Sequence, residues 1–152
     1  MLKIITGNLS IWKGVYYFML WWSDELKIGV DTIDEQHKGI FDKAEDILNL
    51  EVDSKPFAVK KMYQFLLNYV ATHFKDEEKV MEGIGYPDLE EHKKQHIYIT
   101  NELSKLVDKA IKEGITEENI DAMKLLVIEW LINHISESDR KIAVFINEKK
   151  PE

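Results

Sequence analysis

Five histidines are the residues of this 152-residue chain whose type and spacing could do chemistry. Three fall within "HFKDEEKVMEGIGYPDLEEHKKQH", where His73 stands four before Glu77 and His92 four before His96. Four residues is slightly more than one helical turn, so each pair projects from one face. All five histidines occupy apolar helical stripes. His37 follows Ile33 and precedes Ile40, Phe41 and Ala44, and His73 continues Leu66 and Tyr69 towards Val80 and Met81. His92 and His96 lie between Leu89 and Ile99, and His134 follows Val127, Trp130 and Leu131. A single histidine on an apolar face is ordinarily a core residue bonded to a carbonyl. Five of them would each need separate polar satisfaction, which one metal centre supplies to all.

Two carboxylates extend the donor set. Glu77 shares the stripe of His73 beside Val80 and Met81, where a bare charge would be very costly. Asp139 lies five residues after His134, which ideal α-helical geometry rotates by roughly 140°. That spacing alone is weak, and it leaves Asp139 free to face solvent beside Arg140. Asp76, Glu78, Glu90, Glu91 and Glu137 fall off the stripes and are expected to be solvated charges. Five imidazoles and two carboxylates are too many donors for one ion and suit two. Two octahedral ions offer about twelve positions. Two bridging carboxylates, one bridging hydroxide and five imidazoles fill all but one, which is left for a small ligand.

These donors need four helices. The first stripe runs from Ile33 to Leu48, with an end expected near Leu50. "EVDSKP" breaks the chain, and Pro56 suits the start of a second helix. Two glycines and a proline in "GIGYPD" stop that helix, and a third stripe continues from Leu89 to Ala110. "EGITEEN" ends it at Gly114 and restarts at Thr116 as N-cap. The fourth stripe runs from Ile120 to Phe145. Long amphipathic helices joined by short links predict an all-α, antiparallel up-down-up-down four-helix bundle. Residues 22–148 are expected to form it, after a short N-terminal arm (1–21) and before a tail (149–152).

Composition narrows the class. A net charge of −8 argues against a nucleic-acid partner, which needs a clustered basic surface. The absence of cysteine removes disulfides and thiolate metal sites, and suits a cytoplasmic location. The apolar run "LSIWKGVYYFMLWW" is interrupted by Lys13 and Gly14 and is too short to span a membrane. It reads as an arm that docks on the bundle or joins a homo-oligomer; the alternative is translation starting at Met19.

The segments "DTIDEQHKGIF", "HFKDEEKVMEGIGYPDLEEHKKQH" and "WLINHISESD" together resemble the hemerythrin family, particularly its bacterial members, over about Trp22 to Ile146. This resemblance implies a non-haem di-iron protein that binds O2 reversibly rather than an enzyme. Its cofactor would be two iron ions, ferrous or ferric, with a hydroxo or oxo bridge. It further implies that His37 and His73 hold the iron with an open position. His92, His96 and His134 would hold the saturated iron, and Glu77 and Asp139 would bridge. Phe74, Trp130, Ile40 and Ile135 are expected to wall the pocket. The alternatives are a di-iron oxidase, peroxidase or iron-handling enzyme, or an O2 or redox sensor. Carboxylate-rich bundles that activate O2 carry Glu-x-x-His ligand pairs, which this donor set lacks. Ser136 is expected to reach over the open position, where its hydroxyl would admit water and shorten the life of the oxygenated form.

Overall fold

The computed structural model describes residues 22–54 and 56–149, and the N-terminal arm expected over residues 1–21 lies outside them. Among the described residues the only regular structure is helical. After a single 3-10 turn at Asp24–Leu26, α1 spans Asp31–Leu48, α2 Pro56–Ile84, α3 Leu89–Glu113 and α4 Glu117–Glu129. α4 runs without a break into a π-helix, Trp130–Asp139, and then into α5, Arg140–Glu148. These last three elements form one long fourth helix, and four helices pack on one another.

The helix ends follow local chemistry. Pro56 opens α2, where its missing N–H costs nothing. Gly85, at φ +65°, closes α2 in a left-handed conformation, with the Tyr86 N–H returning to the Met81 carbonyl at 2.9 Å. Gly114, at φ +83° and ψ −176°, ends α3 in a different backbone conformation that also needs a positive φ. Thr116 and Asn119 form a reciprocal capping box at the start of α4. Buried Asn119 also donates to the Gly114 carbonyl at 2.8 Å, which locks the α3–α4 corner.

Contacts along the helices fix which neighbours meet. Glu82 of α2 pairs with Lys93 of α3, and Glu78 with His96, so numbers fall along one helix as they rise along the other. The α3 residues Lys109 and Gln95 reach Glu118 and His134 in the same opposed sense. The buried apolar side chains form two clusters. One holds Ile40, Phe41, Val70, Phe74, Ile99, Leu103, Val127, Trp130 and Ile135, among others. The second, at the other end, holds Ile28, Ile33, Met81, Tyr86, Ile142 and Ala143. Each helix passes from one cluster to the other through its histidines, so the polar side chains form a layer between two apolar ones. No helix among the described residues is long and apolar enough to cross a membrane.

Candidate metal centre

All seven side chains singled out in the sequence are buried and converge on that layer. Their ligand atoms form two groups that share Glu77: His92, His96 and His134 with Glu77, and His37, His73 and Asp139 with Glu77. Within each group the atoms lie within 4.8 Å of one another. The two carboxylates have a specific arrangement. Glu77 turns Oε2 to His92 Nε2 at 3.0 Å and to His96 Nε2 at 3.1 Å, and Oε1 towards His37 Nε2 at 3.9 Å. Asp139 turns Oδ1 to His134 Nε2 at 3.1 Å and to His92 Nε2 at 3.4 Å, and Oδ2 to His37 Nε2 at 3.0 Å. Each carboxylate therefore offers one oxygen to each group.

Asp139 reaches this layer through the winding of the backbone. An α-helix would turn it well away from His134. In the π-helix Trp130–Asp139 the repeat is i to i+5, so residues five apart return to one face. The same winding carries Ser136, two positions after His134, across the helix, and it is half-buried. Ser138 is the serine that turns inward, donating to Gln95 Oε1 at 2.7 Å.

An outer layer of hydrogen bonds orients the imidazoles. Glu78 has only acceptor oxygens, so His96 donates its Nδ1–H to it at 2.8 Å, leaving the Nε2 lone pair facing inward. The Gln36 amide N–H donates to Asp76 at 2.7 Å, so its Oε1 accepts the Nδ1–H of His73 at 3.0 Å. Gln95 Oε1 accepts from His134 Nδ1 at 3.2 Å. With both Nδ1 atoms donating, His96 and His134 aim two Nε2 lone pairs at each other across 3.0 Å. A cation relieves that repulsion. His37 Nδ1 and Nε2, His73 Nε2, Glu77 Oε1 and both Asp139 oxygens are buried without a hydrogen-bond partner, as is the Trp130 indole nitrogen. Orphaned lone pairs gathered at one point are what a bound cation satisfies.

Electrostatics agree. Burial holds the His73 and His134 imidazoles down to a pKa of about 4, so both are neutral donors at pH 7. Burial also opposes charge on His92, but the Asp139 and Glu77 carboxylates set against it outweigh that and raise it to about 9. Glu77 and Asp139 stay below the ordinary carboxylate range. Burial pushes both up, and the surrounding histidines more than offset it. Without metal, the His92 imidazolium stands where a cation's charge is needed.

Aromatic rings close the layer on one side. Phe74 stacks on His96 with centroids 3.8 Å apart and planes 5° apart. Trp130 stacks on His134 at 6.1 Å and meets His73 edge-on at 5.8 Å. Ile40 and Ile135, also expected in this wall, are fully buried. Trp22 adds a further ring beside His37, 6.3 Å away.

Residues 28–146 match the model of the hemerythrin HHE cation binding domain, most of the chain. The chain belongs to the hemerythrin family. It is 33% identical to a myohemerythrin of Theromyzon tessulatum over 120 residues, 79% of this chain and 88% of that one. It is 33% identical to a bacteriohemerythrin of Methylococcus capsulatus over 122 residues, covering 80% and 92%. A bacteriohemerythrin of Stenotrophomonas maltophilia is 29% identical over 125 residues, covering 82% and 80%. This hemerythrin fold is thus a helical bundle around a buried His/Glu/Asp cluster suited to metal.

The outer layer was the part that sequence reasoning missed. Asp76 and Glu78, expected to be solvated, are partly buried partners of Gln36 and His96, whereas Glu90, Glu91 and Glu137 are exposed. One signal was present: Gln36, Glu78 and Gln95 each adjoin a stripe ligand, the position that borders the next helix.

Proposed function

We propose that this protein holds two iron ions and binds O2 reversibly as a carrier, store or donor rather than as an enzyme, in a cytoplasmic setting. His92, His96 and His134 would hold one ion, His37 and His73 the other, and Glu77 and Asp139 would bridge them. The observation that carries this reading is the arrangement of the carboxylates, with one oxygen of each turned to each histidine group. Three imidazoles on one side and two on the other leave the His37/His73 side short of a donor, which is where a small ligand would bind. The iron pair would supply that open position and the two electrons that O2 accepts.

The protein's own residues do the rest. Five imidazoles and two carboxylates contribute −2 against +4 for two ferrous ions, a milder anionic field than carboxylate-rich bundles provide. Phe74, Trp130, Ile40 and Ile135 exclude water, and with it the protons that would end reversibility. Glu78, Gln36 and Gln95 keep the Nδ1 atoms of His96, His73 and His134 occupied and their Nε2 atoms aimed inward. Reconstitution with ferrous iron under argon should give two irons per chain. Air should then produce an optical change that argon reverses through several cycles. A stoichiometry of one would refute the di-iron reading. Irreversible oxidation with turnover of O2 would replace the carrier with an oxidase.

A further inference from the structure

Two voids lie on the Trp130 side of the metal layer, and one residue lines both. The outer void is an open hollow of about 280 Å³ between Gln36, Phe65, Asn68, Tyr69, Thr72 and His73. The inner one is a crevice of about 20 Å³, lined by Leu66, Tyr69, Val70, Leu103, Val127 and Trp130 among others. The surface that its walls expose is apolar. A void of roughly 10–15 Å³ or more can admit one water, but water stays only where two to four polar partners hold it. This crevice has the room and none of the partners. Apolar voids of this kind stay dry and take up apolar molecules.

The Tyr69 hydroxyl donates to the Gln36 carbonyl at 2.9 Å, which ties that side chain to α1. Its ring stacks on His73 at 5.3 Å and meets Trp130 edge-on at 5.4 Å. Trp130 in turn touches His73 and His134. Tyr69 and Trp130 thus border both the crevice and the histidines of the metal layer.

We propose that this crevice is a docking site for one small apolar gas molecule, entered from the outer hollow past Tyr69. That the gas is O2 rests on the function proposed above; the apolar site itself does not. The crevice would hold the gas beside its destination without hydrating it.

Xenon is the probe, applied under pressure to crystals of the full chain. Val127→Ile adds one methylene to the crevice wall, and Val127→Ala removes two methyls. Xenon should occupy the crevice in the wild type, be lost in Val127→Ile and reach higher occupancy in Val127→Ala. In iron-loaded protein, O2 association should slow several-fold in Val127→Ile while the equilibrium oxygenated spectrum stays the same. Ordered water in the crevice, or no xenon there in both wild type and Val127→Ala, would overturn the site. An unchanged association rate in a Val127→Ile protein that excludes xenon would overturn the route. Should Val127→Ile fail to fold, Val127→Ala decides: greater xenon occupancy supports the site, and unchanged occupancy refutes it. Xenon in the crevice of a protein that never oxygenates would uphold the apolar site and discard the O2 reading.

Discussion

Glu77 is fully buried, and among the described residues none meets more of the histidines: its oxygens reach His37, His92, His96 and His134. Glu77→Gln preserves shape and removes the charge that offsets two cations, leaving their charge uncompensated in the interior. We expect it to lose at least one of two iron equivalents by elemental analysis while far-ultraviolet circular dichroism stays helical. Glu78 acts one bond further out, accepting from His96 Nδ1. Glu78→Gln should weaken metal binding by roughly 10- to 100-fold, the usual effect of losing such a partner. Competition with a chelator measures it. Ser136→Leu, by contrast, changes a half-buried residue on the far side of the helix from His134. The lifetime of the oxygenated form should differ from wild type by less than about twofold, a barrier change under ~0.5 kcal/mol.

The π-helix is the element on which the centre depends. Its i to i+5 winding brings His134 and Asp139 to one face, and π segments are rare and concentrate at functional sites. Such winding persists where something beyond the backbone favours it. Here the Asp139 oxygens, set against His37, His92 and His134, supply that. Bound cations would add to it. Metal loading should therefore slow hydrogen exchange most within residues 130–139, with little change at the start of α2. Uniform protection along the fourth helix would mean that the winding is indifferent to metal.

At the scale of the whole molecule, the buried histidines make metal-free stability depend on pH. His73 and His134 titrate near 4 when folded and at about 6.5 when unfolded. Their neutral forms are favoured by folding, so the stability they contribute is present above about 6.5 and is lost as pH falls towards 4. His92 works in the opposite sense. Raised to about 9, it contributes fully below 6.5 and loses that contribution as pH rises through 9. Metal-free protein should melt lower at pH 4.5 than at pH 6.5, by a total on the order of a few kcal/mol. Scanning calorimetry checks this. Metal entering at pH 7 must displace the His92 proton, so loading should release protons and tighten as pH rises towards 9. Calorimetric titration in buffers of different ionisation enthalpy counts them.

The sequence by itself determined the helices and the donor set. Stripes of three-and-four spacing, with stops at Gly85 and Gly114 and a cap at Thr116, are local signals, and local backbone preference and apolar burial act on them directly. A histidine on such a stripe must face inward, so all five were legible as buried. Tertiary structure decided who meets whom. Gln36 adjoins His37 yet serves His73, and Gln95 adjoins His96 yet serves His134, partners 37 and 39 residues away. No periodicity encodes such pairings, because they follow from how helices dock after each has formed. Asp139 lay between the two cases. Its residue type was visible, but α-helical spacing pointed it away. It joined the site because buried imidazoles from two other helices, held 3.0–3.4 Å from its oxygens together with His134, make a different winding of its own helix worthwhile.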